Sequence, residues 1–264
     1  MNKPETMHFF PFGQILKKVE QADKSPKKAF VLGVYASAVH ARWIDKDGRQ
    51  KVAALAVASE PSIFWTGDNA EEIIKAINVP EQLGRLTAPT DKRLNGPSGR
   101  ALDRLYLEPL WLSRQDTWLC DLLPESRVNE QQRKAIDKHY SDAIAQQYGL
   151  AKATVPDFAG AELDSQTRRE EILRELEASQ ADTLILLGDL PIRGFLYFYN
   201  DTKYTRLFQF GKEKGEYGRP YELRINNRHY NVIALCHPRQ ADRLGNSSSK
   251  WGQLHDYWTK HASR

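Results

Sequence analysis

Cysteine is almost missing from this chain: two residues, Cys120 and Cys236, among 264. That scarcity excludes a disulfide framework and fits a reducing compartment, the cytoplasm. Neither cysteine stands in a CxxC pair or beside a histidine at ligand spacing. A structural zinc site and a four-cysteine iron–sulfur cluster are thereby excluded, and neither metal nor cofactor is expected. Long apolar runs are missing as well. None approaches the roughly 18 residues of a membrane span, and the opening "MNKPETMHFFPFGQILKK" lacks the basic-then-apolar order of a signal sequence. No membrane partner is expected. Phosphate-cradling GxGxxG and GxxxxGK[ST] patterns are absent, which weakens the case for a nucleotide-dependent enzyme. Neither sign of charge dominates: Lys+Arg 38 against Asp+Glu 34 gives +4. A balance that mild is compatible with nucleic acid without requiring it.

What is present is a rhythm of five apolar, β-rich runs: "AFVLGVY" (29–35), "VAALAVA" (52–58), "TWLCD" (117–121), "TLILLG" (183–188) and "YNVIALC" (230–236). Most are nearly continuous, as strands covered on both faces are. Helical patterns lie between them. "SGRALDRLYLEPLWL" (98–112) starts on a Ser cap and aligns Leu102, Leu105 and Tyr106, with Pro109 limiting its length. The pattern at 129–149 aligns Ile136, Tyr140, Ala143, Ile144 and Tyr148 and stops at Gly149; that at 165–179 aligns Ile172, Leu173 and Leu176. Strands alternating with such helices predict an α/β fold, a three-layer α/β/α sandwich with a mainly parallel central sheet. The whole of 1–264 reads as a single domain. Segment 38–93 reads as an insertion within it, a hairpin turning at Asp47-Gly48 followed by a short helix in "DNAEEIIKAI". Segment 198–229, rich in Lys, Arg and aromatics, reads as a long loop with one or two edge strands.

Ligands of α/β sheets bind at the carboxyl ends of strands, so the informative residues are those where each run stops. The first run ends in an expected glycine turn, Gly33-Val34-Tyr35-Ala36-Ser37. The third ends on Asp121, the fourth on Gly188-Asp189, and the fifth on Cys236-His237-Pro238-Arg239. Each has an ordinary reading too. An Asp at a strand end accepts turn N–H groups, and His-Pro after a strand makes a turn.

The order and texture of these elements resemble the uracil-DNA glycosylase superfamily, most closely its thermostable iron–sulfur branch without that branch's cluster cysteines. "LNGPSGRALDRLYLEPLWLSRQDTWLCDLLPESRVNEQQRKAI" (94–136) is similar to that branch's Gly-Pro-small-Gly helix start and following strand. "EILRELEASQADTLILLGDLPIRGFL" (171–196) resembles its helix–strand–Leu-Gly segment, and "GRPYELRINNRHYNVIALCHPRQADRLG" (218–245) its last strand and His-Pro motif. The resemblance implies a monofunctional DNA glycosylase, monomeric and metal-free, that flips a base out of DNA and hydrolyses its N-glycosidic bond. His237 would donate to the base as negative charge develops on it. Gly33, Val34, Tyr35 and Asp121 would border the base, and Leu94 stands where the family carries an aromatic platform, for which Phe64 or Trp65 would be the substitute. Ser98 would contact DNA. So would a minor-groove loop in which Arg239 and Arg243 meet phosphates, Leu244 wedges, and Ser248 and Lys250 hold the backbone.

Three departures matter. Ala36 replaces an expected Pro, and no acid stands at Val34 or Tyr35 to position water. Asp68, Asp91, Asp189 and His40 are the candidates for that task, although Asp68 with Glu71 also reads as a capping box. Finally, Asp121 stands where the family commonly has Asn. An ionised carboxylate only accepts hydrogen bonds, which suits the amine of a cytosine-like base over the carbonyl of uracil, and a modified one, since excising ordinary cytosine would destroy the host genome. Such an activity would suit defence against phages with modified cytosines. Two other classes stay open: a catalytically silent nucleic-acid-binding module, and a small-molecule enzyme unrelated to DNA.

Overall fold

A computed structural model describes residues 6–201, 203–243 and 249–262. The strands are β1 (Ala29–Tyr35), β2 (Ala38–Ile44), β3 (Gln50–Ser59), β4 (Arg85–Thr87), β5 (Thr117–Leu123), β6 (Thr183–Leu187), β7 (Pro220–Ile225) and β8 (Arg228–Leu235). The helices are α1 (Ala70–Lys75), α2 (Pro97–Leu102), α3 (Glu130–His139), α4 (Asp142–Gln147), α5 (Gln166–Ser179), α6 (Asp189–Pro191), α7 (Tyr197–Tyr199), α8 (Pro238–Ala241) and α9 (Ser249–Thr259). They form two compact units: Met1–Val19, Ala36–Pro97 and Glu125–Ala159 in one, Glu20–Tyr35, Ser98–Pro124 and Gly160–Arg264 in the other.

The first unit is built on a three-stranded antiparallel sheet, β3-β2-β4. Asp45 closes the β2–β3 turn by accepting the N–H groups of Asp47 and Arg49 on its carboxylate. The run 52–58 lies in β3, the second arm of the hairpin expected around Asp47-Gly48, and not in the parallel sheet. Its alanines conceal the difference: Ala53 faces solvent, yet reads as apolar as a core residue. Trp43 anchors the unit's core, donating its indole N–H to the Leu83 carbonyl at 2.7 Å, with Phe12 edge-on to both Trp43 and Tyr140 at 5.1 Å. The helical pattern at 129–149 is two helices, α3 and α4. Ser141 caps the second by accepting from Ile144 N, and an N-cap hydroxyl inside a periodic pattern starts a new helix.

The second unit holds a five-stranded sheet in the order β5-β1-β6-β8-β7, with the first four strands parallel and β7 antiparallel at the edge. This is mixed α/β architecture with a mostly parallel central sheet. Pro220 opens the edge strand, where its missing N–H costs no ladder bond. Helix α5 packs on β5 and β1 with Ile172 and Leu176 fully buried. The expected helix at 98–112 is not a smooth α-helix. α2 passes into a π-helical turn (Asp103–Leu107) and a 3-10 turn at Glu108–Leu110, where Pro109 supplies no N–H, and Trp111 ends it in the left-handed region. From β1 the chain crosses to β5 on one side and then to β6 on the other. The carboxyl edge between β1 and β6 is thus the switch point where such sheets bind ligands. No helix among the described residues is long and apolar enough to cross a membrane.

Candidate functional site

Two expected strand ends lie inside strands instead. β1 runs on through Gly33, Val34 and Tyr35, so the glycine turn expected there is absent. Likewise β5 does not stop at Asp121 but continues to Leu123, because Leu122 and Leu123 are apolar and Leu123 pairs with Tyr35. Pro124 ends the strand. Gly33 and Asp121 are register partners. Parallel neighbours in register share a sheet face and successive residues alternate, so Gly33, Tyr35 and Asp121 face one side and Val34 the other.

On Val34's side, at the switch point, lies a cavity of about 230 Å³. Its walls include Val34 from β1, Gly188 and Asp189 after β6, Leu207, His237 and Trp251. Gly188 makes the turn possible: at φ +94 it occupies a region that side chains rarely adopt, and its N–H closes onto the Leu235 carbonyl at 2.7 Å. Asp189 starts α6 and is committed to structure. Its carboxylate accepts the Leu207 N–H at 2.7 Å and pairs with Arg206 at 3.2 Å.

His237 does two jobs in one residue. Its Nδ1 accepts the Arg239 N–H at 3.2 Å, capping α8, and Pro238 follows at the first helical position. An Nδ1 used as acceptor carries no proton, so the neutral ring bears its hydrogen on Nε2. Burial, aided by the nearby Arg239 charge, lowers the His237 pKa to about 4. At neutral pH the cavity wall therefore includes an uncharged imidazole with an N–H donor.

The backbone just before His237 is gripped on both sides. The Cys236 N–H donates to the Tyr217 hydroxyl at 2.8 Å, and the Cys236 carbonyl accepts from the Tyr106 hydroxyl at 2.7 Å. The Tyr217 hydroxyl donates to His255 Nδ1 at 2.8 Å, and His255 Nε2 donates to the Leu105 carbonyl at 2.9 Å. The Tyr106 and His255 rings lie 4.4 Å apart. All three side chains are buried, and burial lowers the His255 pKa to about 4. None of the three stands near His237 in sequence.

Asp121 is 3% exposed, and burial raises its pKa to about 7 against the opposing charge of Arg168. Arg168 reaches its backbone carbonyl at 2.8 Å. Half-buried Tyr35 senses two charges, with Arg239 lowering and Asp121 raising the pKa of a phenol that burial has already pushed up. Asp121, Tyr35 and Arg239 thus form one electrostatic neighbourhood, and Arg239 links it to His237. Asp121 and Tyr35 do not line the cavity.

The remaining candidates are spread over both units. Ser98 is the second residue of α2, after Pro97, and so does not cap it as expected; Arg239 is exposed on α8, and Lys250 is exposed on α9. Arg243 pairs with Asp256, while Leu244 and Ser248 lie outside the described residues. His40, Leu94 and Asp68 belong to the first unit. Asn95 clasps the backbone of His40, accepting its N–H at 2.8 Å and donating to its carbonyl at 3.0 Å, and burial lowers the His40 pKa to about 4. Leu94 ends a 3-10 turn capped by Asp91. Asp68 does not cap α1: Asn69 occupies that position, and exposed Asp68 accepts from the Thr66 hydroxyl instead. Phe64 and Trp65 are buried in the same unit. Among the described residues, no group of three His, Cys, Asp or Glu is placed to hold a metal ion. No family model matches this chain, and no curated protein matches it.

Proposed function

We propose that the chain is a monofunctional DNA glycosylase of the uracil-DNA glycosylase kind. On this reading the fold is the three-layer α/β/α sandwich of that superfamily, and the protein works as a cytoplasmic monomer on DNA with water as its only co-reactant. The observation that carries the reading is His237: a neutral, half-buried imidazole with its N–H on Nε2, at the wall of a cavity at the switch point. A cavity of about 230 Å³ falls below the range of about 300–1,000 Å³ typical of drug-sized ligands, and suits one flat base. Breaking an N-glycosidic bond leaves an electron-poor sugar and an anionic base. A fixed neutral donor stabilises that anion more in the transition state than in the ground state, which is the requirement for catalysis.

The choice of target rests on the chemistry of Asp121 and on its place in the resemblance, not on the cavity, which Asp121 does not line. With a pKa of about 7 Asp121 exists in both forms at neutral pH. Ionised, it accepts from the exocyclic amine of a cytosine-like base. Protonated, it offers one donor and one acceptor, as an amide does. The preference for an amine-bearing base, a modified cytosine such as a phage would carry, grows as pH rises through 7. A carboxyl near neutrality is also matched to general-base work. A second role for Asp121, as the water-activating group that Gly33–Ser37 lacks, requires substrate to reach the Asp121 side of the sheet, since Asp121 does not line the cavity.

The test is a panel of duplexes and single strands containing uracil, cytosine, 5-hydroxymethylcytosine or its glucosylated form, read as alkali-labile abasic sites. Release from at least one substrate, lost in His237→Ala, is expected. No release from any of them, with DNA binding retained, would replace the enzyme by a silent nucleic-acid-binding module.

A further inference from the structure

Residues 203–219 combine five cations, Lys203, Arg206, Lys212, Lys214 and Arg219, with only two carboxylates, Glu213 and Glu216. That excess is most of the +4 carried by the whole chain. Within the segment sits the 3-10 turn Leu207–Phe210, whose side chains divide sharply. Leu207 and Phe210 are 2% and 1% exposed, whereas Phe208 between them is 56% exposed.

Exposure here is not looseness. The Gln209 side chain accepts the N–H groups of Thr205 and Arg206 at 2.8 Å each, and Asp189 holds the Leu207 N–H. Phe210 packs against Tyr204 at 4.4 Å and Tyr221 at 5.1 Å. An apolar ring of this size is thus held outward on a fixed turn. The turn adjoins the cavity, because Leu207 and Asp189 both line it. Among the described residues no carboxylate pairs with Lys212, Lys214 or Arg219. Cations without a carboxylate partner, in the same segment as a rigid exposed aromatic, are what a single nucleic-acid strand uses: phosphates find the cations, and a base stacks on the ring whatever its sequence.

We propose that 203–219 is a docking surface for a single nucleic-acid strand running past the cavity, with Phe208 as stacking platform and Lys212, Lys214 and Arg219 as phosphate contacts. The inference deepens the glycosylase reading by giving its DNA a second surface. It stands on residues which that reading does not use.

The probe is a short fluorescein-labelled oligothymidylate, which carries no base for the enzyme to remove, followed by anisotropy across a salt series. Phe208→Ala is expected to weaken binding about tenfold. A Lys212→Ala, Lys214→Ala pair should lower the slope of log K against log salt by about 1.4, near 0.7 per lost contact. Both changes lie on the surface, so thermal melting should match the wild type. Failure of the wild type to bind, or Phe208→Ala binding at wild-type strength, overturns the proposal. So does displacement of the strand by an acidic peptide together with a salt slope unchanged in the lysine pair, which would make the surface a protein site. His237→Ala separates the two readings: it should bind the oligothymidylate normally while base release is lost. A wild type that binds the strand but releases no base leaves this surface standing and removes the glycosylase.

Discussion

The Tyr217 hydroxyl accepts the backbone N–H of Cys236 at 2.8 Å, and Cys236 is the residue immediately before His237. Because Tyr217 is anchored in turn by His255, the peptide that aims the imidazole cannot swing without breaking a buried chain of hydrogen bonds. Tyr217→Phe removes one hydroxyl, leaves the Cys236 N–H unsatisfied, and should cost about 1–3 kcal/mol in stability by denaturant titration. If Tyr217 positions His237, base release by this variant should lose kcat with KM little changed. Loss of stability without that kcat effect would make the tyrosine structural only.

His237 itself sets a pH expectation. Its pKa is lowered to about 4, so lowering the pH from 8 to 5 should not protonate it, and base release should show no falling limb near 6.5 from this residue. The limb should come near pH 4, where protonated Nδ1 can no longer accept the Arg239 N–H. A limb centred near 6.5 that disappears in His237→Gln would show an ordinary, solvated histidine.

The parallel strands were readable because β1, β5, β6 and the Val232–Leu235 half of β8 bury both faces, and apolar runs record that directly. His237 was readable for a related reason, as a polar residue where such a run stops. Burial patterns say less about where a strand ends. Asp121 looks like a terminus, yet β5 runs on to Leu123. The alanines of β3 hid a sheet with a solvent-facing side. Tyr106, Tyr217 and His255 left no local signal at all, since the bonds joining them to the site span 130, 19, 38 and 150 residues. Tertiary hydrogen bonds of that kind leave no spacing rule to find.

His255 offers a stability test. It is 1% exposed, with its pKa lowered to about 4 by burial. The unfolded chain therefore takes up a proton near pH 6.5 that the folded chain refuses until about 4. Stability from this residue is complete above pH 6.5 and is lost as pH falls through that window, by roughly 3 kcal/mol. His255→Gln should be less stable at pH 7 and show a shallower acid loss between 6.5 and 4, measured by urea denaturation at each pH. An acid slope equal to the wild type's would place His255 in solvent-like surroundings.

Asp121 gives the opposite sign. Burial raises its pKa to about 7, so between pH 4 and 7 the folded protein holds a proton that the unfolded chain has released, and stability falls as pH rises. Asp121→Asn cannot ionise and escapes that loss. The variant should gain on the wild type as pH climbs from 4 to 8, by roughly 4 kcal/mol if the full shift is realised. The same variant separates the two roles of the carboxyl. If Asp121 reads the base, Asp121→Asn should shift release from cytosine-like substrates toward uracil, since the amide keeps a donor at every pH. If it activates water, release should collapse for every base while binding persists. Wild-type preference unchanged from pH 6 to 8, together with full activity in Asp121→Asn, would remove the carboxyl from the reaction altogether.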